Sequence, residues 1–470
     1  MAGTFVLGEK KVRPGTYFNI QKNVDDAVPS YINGVTAVVF RADFGPLNTA
    51  VELSAKDSYE SIFGKGLTTD AIREAVAGGA QTIIACRVGS GGTLAEISLE
   101  DTAKEAAVTI TANYPGAKEF AITVREKLSD SSRKECIIYA GTEEFEKAEF
   151  AAGVGEAVAL VKALAESKNF HVTVKEGKEE AVLTNVSQVS FTGGTNPAVA
   201  TEDYSNAFAQ AEAYEFNTIC VDTEDVSVHL LLLSFVRRIF DAGLMVQAVV
   251  AERHTVDLES RMQHAAAFND EKMNYVLNAH VNEQGKEMDG YQTAARIAGM
   301  IGACASNSSL THTVVEGFTE ILEKLTNTQI ITAENKGCIV LSNNRSKQVW
   351  IDSAINTLIV PTENQDDGWK KIRRVKTRFE LMRRVIVAMD ELIGSVDNDS
   401  NGRSTVIKHM QDVADAMVEE EKLVSCKVTE SEEYAAEVDS AWFNIAVVDK
   451  DSMEHAYLTF KFQFSSSSEE

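Results

Sequence analysis

Residues 34–44, GVTAVVFRADF, and residues 80–88, AQTIIACRV, decide the fold. Both are short apolar runs bounded by turn signals, the form of a strand buried on two faces. Gly45-Pro46 between them is a turn. Two helical stretches follow it. SAKDSYESIFG (54–64) has Ser54 as N-cap and ends at Gly64, while TTDAIREAVAGG (68–79) opens on Thr68 or Thr69 and stops at Gly78-Gly79. Strand alternating with helix predicts an α/β layer.

The same alternation returns further along. Thr201-Glu202-Asp203 starts a helix, FNTICVDT (216–223) is a buried strand, VSVHLLLLSFVRRIFDAG (226–243) a helix and LMVQAVVA (244–251) a strand. YQTAARIAGMIGACAS (291–306) is a small-residue helix suited to close packing, FTEILEKLTN (318–327) a further helix, and CIVLSNN (338–344) a strand. Between the two α/β stretches the order changes. Gly89-Ser90-Gly91-Gly92 reads as a linker, and AITVREKLS and KECIIYAG as amphipathic strands, with one helix at GVGEAVALVKALAES (153–167). Residues 89–185 are therefore expected to be an inserted, mainly β domain, and 21–88 with 186–345 the α/β core.

Residues 346–455 form a last α+β unit around GWKKIRRVKTRFELMRRVIVAMDELI (368–393). Ile372, Val375, Phe379, Met382, Ile386, Met389 and Ile393 recur at helical spacing and predict one apolar stripe. Lys370, Lys371, Arg373, Arg374, Lys376, Arg378, Arg383 and Arg384 fall within fifteen positions, offset there only by Glu380. A second helix, STVIKHMQDVADAMVEEEKL (404–423), takes Ser404 or Thr405 as cap, and AWFNIAVV and AYLTFKFQF follow as strands. In the last, Leu458, Phe460, Phe462 and Phe464 share one face. At the other terminus Arg13-Pro14-Gly15 is a turn, and Thr16, Tyr17, Phe18, Asn19 and Ile20 have strand character. A short strand cut off in this way is a candidate arm. Residues 1–20 and 456–470 are set apart as terminal segments, the closing SSSSEE without expected order.

The chain has 470 residues, a formal charge of −25 and a pI near 4.8. Its length implies several domains. Its charge disfavours general binding to phosphates but leaves room for a local basic patch. The basic helix admits three readings: a solvated face, a nucleic-acid groove, or, leading, a surface for an acidic protein partner. The six cysteines are scattered without a CxxC pair and are expected as buried free thiols of a reducing compartment. MAGTFVLGEKKVRPG lacks an apolar core of the secretory type. LLLLSFVRRIFDAGLMVQAVVA is interrupted by Arg237, Arg238 and Asp241, so no membrane insertion is expected.

Sites of chemistry are few. Gly89-Ser90-Gly91-Gly92 lacks the Lys-Ser/Thr ending of a phosphate loop, and Phe191-Thr192-Gly193-Gly194-Thr195-Asn196 reads better as a closing turn than as an anion site. The histidines show no metal-ligand spacing, and no nucleophile elbow is present. Asp222, Glu224 and Asp225 stand at the end of a strand, where α/β enzymes place ligands, although helix capping explains them better. No catalytic residue, cofactor or metal is expected. An α/β enzyme with an accessory β domain is the alternative to a structural protein.

Taken together, several segments resemble the contractile tail sheath proteins of phages and phage-tail-like particles. Arg13-Pro14-Gly15-Thr16-Tyr17 is similar to the family's Pro-Gly-x-Tyr arm, and GVTAVVFRADFGPLN to its first core strand and turn. Ile62-Phe63-Gly64 looks like the end of the family's next helix, and AVAGGAQTIIACRV resembles its Gly-Ala helix-to-strand step. Ala112-Asn113-Tyr114-Pro115-Gly116 and Phe191-Thr192-Gly193-Gly194-Thr195 resemble its Ala-x-Tyr-Pro-Gly and Ser-Gly-Gly-Thr elements. AARIAGMIGA and Ile355-Asn356-Thr357-Leu358 look like its small-residue helix and Ile-Asn-Thr-Leu strand. The order is the family's, from near residue 13 to near 464, and the likeness is nearest to sheaths of prophage-derived particles of Gram-positive hosts. NSSLTHTVVEG departs from the family's Trp-x-Ala-Pro-Ala-type stretch.

The resemblance implies a multidomain α/β and α+β fold whose C-terminal domain is completed by exchanged terminal strands. It implies stacked hexameric rings around an inner tail tube, contraction that drives the tube through a cell envelope, and no enzymatic role. Partners would be further copies of the chain, the tube protein, and baseplate and tail terminator proteins, with no nucleic acid. Assembly would take place in the bacterial host cytoplasm, and the product would be a virion or phage-tail-like particle. Strand exchange is expected at Thr16, Tyr17, Phe18, Asn19 and Ile20 and at Leu458, Thr459, Phe460, Lys461 and Phe462. Tube contact is expected at Lys370, Lys371, Arg373, Arg374, Lys376 and Arg378, with Arg383 and Arg384 as inter-subunit candidates.

Overall fold

A computed structural model describes residues 2–4, 16–18 and 33–462. Strands β1 (Ala2–Thr4) and β2 (Thr16–Phe18) pair in parallel, Ala2 opposite Thr16. Asn19, Ile20, Gln463 and Phe464 lie outside the described residues.

The core begins with β3 (Val35–Phe40), β4 (Ala50–Ser54), α1 (Tyr59–Phe63), α2 (Asp70–Ala77) and β5 (Thr82–Arg87). The insert holds β6 (Leu94–Glu100), β7 (Ala106–Pro115), β8 (Phe120–Lys127), β9 (Asp130–Ala140), β10 (Glu143–Ala151), α3 (Glu156–Ala163), β11 (Phe170–Val174) and β12 (Val186–Ser190). The core resumes with α4 (Thr201–Ala211), β13 (Thr218–Val221), α5 (Val226–Asp241), β14 (Gln247–Ala251), α6 (Leu258–Phe268) and β15 (Met273–Val276). There follow β16 (His280–Asn282), β17 (Glu287–Met288), α7 (Gly290–Ala303), β18 (Phe318–Ile321), α8 (Asn327–Asn335), β19 (Cys338–Ile339), β20 (Leu341–Asn343) and β21 (Val349–Ile351). The last elements are α9 (Ile372–Asp390), α10 (Ser400–Glu419), β22 (Leu423–Glu430) and β23 (Phe443–Asp449).

Seven strands form the central sheet in the order β19-β15-β14-β13-β3-β5-β4, all parallel but β4. The alternation of side chains along β3 explains its continuous apolarity. Ala37 and Val39 face α4, α5 and α6, whereas Val38 and Phe40 face α2 and α7. The small residues of α7 permit its close approach to α2. A Cβ on Gly299 would stand 2.0 Å from the Ala75 carbonyl oxygen.

The insert packs a four-stranded sheet (β10-β9-β8-β12) with a three-stranded one (β11-β7-β6). Its centre is aromatic: Phe120, Phe145, Phe170 and Phe191. Phe44 comes from the core yet belongs to this cluster, meeting Phe120 edge-on at 5.0 Å. Arg87, at the end of β5, lies just below. It is fully buried and donates to the carbonyls of Ala42 (2.8 Å), Gly45 (2.7 Å) and Pro115 (2.8 Å). Burial without a bonded carboxylate pulls its guanidinium down to about 10. Gly89-Ser90-Gly91-Gly92 is paired rather than loose: Ser90 and Ala198 exchange hydrogen bonds of 2.8 and 3.0 Å.

Several expectations need correction. SAKDSYESIFG is not one helix, because Ala50–Ser54 is the antiparallel edge strand and α1 is a single turn after Ser58. Phe318–Ile321 of FTEILEKLTN is a strand with both apolar ends buried, and the helix begins only after Thr326, which caps it. The insert runs past 185, since β12 pairs with β8. Residues 346–380 pack with the α/β core, because Val349, Ile351, Ala354 and Ile372 join its apolar cluster. The chain divides into a large unit, 32–380 with 449–470, and a small unit, 1–31 with 381–448. In the small unit α10 starts at Ser400 under Asp399, not at Ser404 or Thr405, and β22 is a strand the sequence reading missed.

Candidate functional site

The first half of α9 belongs to the large unit and sets the chemistry. Its entry is fixed by the Ile-Asn-Thr-Leu segment: Asn356 donates to the Trp369 carbonyl (2.7 Å), and Ile355 bridges Lys371. Ile372, Val375 and Phe379 of the expected stripe are buried at 2%, 0% and 1% exposure. After residue 380 the buried face turns. Leu381 and Val385 pack on Met410, Val413 and Met417 of α10 within the small unit, whereas Ile386 (38%) and Ile393 (73%) are exposed. The stripe fails there because the packing partner changes.

Lys370, Lys371, Arg374 and Arg378 have been given acids by their own chain. Asp449, side chain 7% exposed, accepts from Arg374 Nε (2.9 Å) and Nη2 (2.6 Å) and from Arg378 Nε (3.0 Å). Asp366 takes the other edge of Arg378 at 2.8 and 3.0 Å, and that guanidinium lies over the Trp369 ring at 4.5 Å. Lys371 reaches Asp451 (2.7 Å) and Glu454 (3.0 Å), and Lys370 reaches Asp367 (2.9 Å). Lys376 points inward, 3% exposed, and donates to the carbonyls of Ile301 and Cys304 at the end of α7. There it complements the negative end of that helix. Arg373 has no ion pair among the described residues, and its Nε is buried without a partner. In the small unit Arg384 forms a bidentate pair with Glu420 at 2.8 and 2.9 Å.

Electrostatics follow this geometry. Burial works to raise the Asp449 carboxyl, but Arg374 and Arg378 outweigh it and hold it below the usual carboxylate range. The Arg378 hydrogen bond, chiefly, lowers Asp366. Lys371 is pulled down by burial and pushed up further by Asp451 and Glu454, with a net rise.

Beyond Glu454 the chain changes character. No element is formed through residue 462, and Tyr457 (94%), Leu458 (76%), Phe460 (74%) and Phe462 (91%) are exposed. The strand expected at 456–464 therefore has no partner within the described residues. In the small unit β22 and β23 form a sheet of two strands among the described residues, with Val424, Ile445, Val447 and Val448 exposed.

The strand end at Asp222 is already filled. Its carboxylate receives Arg41 N (2.8 Å), Arg41 Nε (2.8 Å), Thr68 Oγ1 and Tyr204 OH (2.7 Å), while Asp225 caps α5 through Ser227 N at 2.8 Å. The residues that sequence reasoning overlooked are Asp366, Asp449, Asp451 and Glu454. Their signal was the pair of acidic runs, QDD at 365–367 and DKDSME at 449–454, that flank the basic stretch and the last strand.

Residues 198–357, from the start of α4 to the Ile-Asn-Thr segment, match the family model described as the phage tail sheath protein central domain. That stretch is similar to a tail sheath domain. Around it the likeness extends to curated relatives from Bacillus subtilis (strain 168). The phage-like element PBSX protein XkdK is 25% identical over 388 residues, 80% of this chain and 79% of that one. The uncharacterized protein YqbK is 24% identical over 395 residues, with the same coverage of 80% and 79%. The fold is that of solved sheath tail proteins. The protein from Desulfitobacterium hafniense aligns with a TM-score of 0.71 at 18% identity, over 93% of this chain and 100% of that one. The one from Listeria innocua aligns at 0.69 and 20%, over 90% and 96%. The helical sheath of the anti-feeding prophage in its contracted state aligns at 0.54 and 12%, over 96% and 99%. The family resemblance and the mixed α/β fold read from the sequence both stand, as does the link to prophage elements of Gram-positive bacteria.

Proposed function

We propose that the chain is a structural subunit of a contractile tail sheath, stacking as hexameric rings around an inner tube and contracting to drive that tube through a cell envelope. The observation that carries this reading is the exposed apolar segment 457–462, unpaired among the described residues, in a chain whose small unit holds a sheet that is two-stranded among them. A donated strand gains main-chain hydrogen bonds and buries alternate side chains, so each copy supplies what another lacks. Leu458, Thr459, Phe460, Lys461 and Phe462 are the C-terminal donors in this proposal, and residues 16–20 the N-terminal ones. Partners are further copies, the tube protein, and baseplate and terminator proteins. Assembly is placed in the host cytoplasm, and the role is not enzymatic.

The tube contact proposed for Lys370, Lys371, Arg373, Arg374, Lys376 and Arg378 acquires a division of labour. Arg373, without an ion pair among the described residues, and Lys370, whose pair is with the exposed Asp367, are the members proposed to meet an external acid, while the other four hold the surface in shape. Exposed pairs contribute about 0–1 kcal/mol each, enough to register a ring without locking it. Negative-stain electron microscopy of the purified protein should show striated tubes. Discrete particles at every concentration would sink the proposal. K370E/R373E should still polymerise but fail to lengthen sheaths on added tube, and normal tube-templated sheaths from that variant would remove the contact.

A further inference from the structure

We infer that the acidic run Asp449–Glu454 is an anchor for the C-terminal segment, seated in a cradle made by the first half of α9, and that it fixes where residues 455–462 leave the large unit. The inference rests on the donor role proposed above.

All contacts that carry it lie within the large unit. The cradle is prearranged on the helix side. Arg378 is braced by the Trp369 ring at 4.5 Å and by both oxygens of Asp366, which also accepts from Gly368 N (3.1 Å) at the turn before α9. Asp449 then enters between Arg374 and Arg378, using both of its oxygens. Five residues later, Glu454 engages Lys371 at 3.0 Å and the hydroxyls of Ser309 (3.4 Å) and Thr311 (3.3 Å). Contact then stops: residues 455–462 make no hydrogen bond or ion pair among the described residues. Every fixing bond is thus on one side of residue 455. The backbone of 450–454 belongs to no strand, and the bonds that tie it to the rest of the large unit run through the side chains of Asp451 and Glu454, to Lys371, Ser309 and Thr311.

A donor segment that links copies passes load into its own subunit at the first fixed point. Here that point is Glu454, held by Lys371, and behind it stands Asp449, a carboxylate shared by Arg374 and Arg378. The acidic run accounts for three of the basic residues at the start of α9: Arg374, Arg378 and Lys371 are positioning residues for the donor.

Limited trypsin digestion of the unpolymerised protein tests the anchor, because Lys450 lies inside it and Lys461 beyond it. Cleavage after Lys461 should be fast and after Lys450 at least tenfold slower. R374Q/R378Q leaves the sequence around Lys450 intact, and should speed that cut tenfold or more without changing the rate at Lys461. D449N, which alters no helix residue, should give the same change should the double variant not fold. Equal rates at the two lysines in the parent protein, or no acceleration in D449N, would overturn the anchor. Electron microscopy then separates the two ideas. A parent protein that never forms sheaths ends the donor reading but leaves the cleavage result standing. Loosened variants that build sheaths of unchanged helical geometry show that the anchor does not position the donor.

Discussion

Strand β3 and the segment at 457–462 read alike in the sequence but stand differently in the molecule. VTAVVF is paired on both edges, between β13 and β5, and Ala37 to Phe40 have no exposed surface. YLTFKF alternates as well as any strand and has neither partner nor cover among the described residues. Strand character is a statement about what a segment does once an edge is offered. The first finds its edges in its own chain, and the second is left facing outward.

The widest test of this contrast is a charge in each. Val39→Asp places a carboxylate between the sheet and α4 and α5, a cost beyond roughly 4–5 kcal/mol. We expect no cooperative unfolding transition by circular dichroism, and a soluble protein with a parent-like melt would break the account of the core. Removing the aromatic plug comes next. Phe44→Ala empties a site in the ring cluster and should cost about 3–5 kcal/mol in chemical denaturation. A loss under 1 kcal/mol would show that the insert does not depend on the core for its packing.

A smaller effect separates buried acids by pH. Glu334 is raised to about 7, first by burial and then by Asp352. Its folded value lies above the unfolded one of ~4.3, so its protonated form favours folding, and stability falls as pH rises from there towards the folded value. Glu334→Gln should therefore raise the melting temperature at pH 8 and leave it unchanged at pH 4. Asp449 has the opposite sign. Its contribution is complete above the unfolded value of ~3.9 and is lost as pH falls through the lower folded one. Trypsin is replaced by an acid protease for that check, and release of the anchor only above neutrality would contradict it. Least of all, Phe460→Ser should move the unfolding midpoint of unpolymerised protein by no more than ~0.5 kcal/mol while abolishing polymerisation. A large stability loss would mean that the segment is buried in its own subunit.

How far the sequence could be read follows from the same contrast. The α/β alternation was legible because β3, β5, β13 and β14 are apolar on both faces, and Gly34, Gly79 and Gly243 stand shortly before β3, β5 and β14. The β4 edge strand was not, since its pattern of buried and exposed residues over five positions is too short to outvote the helix signal of SAKDSYESIFG. Phe318–Ile321 was missed because two buried residues three apart have helical rather than alternating spacing, and its pairing with β16 is irregular between Val281 and Asn282. The basic cluster of α9 was obvious, but its use was not. Opposite charge 75 positions away, at Asp449, leaves no local trace, and only the fold brings it to Arg374.

The paired ends of the insert also bear on how such a chain finds its structure. Thr36 and Thr218 share a hydrogen bond of 2.9 Å across 182 positions, a separation that makes closure of the central sheet slow for an open chain. The insert's own pairings, β8 with β9 and β9 with β10, are between neighbours and can form early. Once they have formed, the bonds between Ser90 and Ala198 bring the two ends of the interruption together. The core then faces a loop whose effective length is a few residues. An insertion that looks like a burden on folding is, by this geometry, the clip that shortens the search.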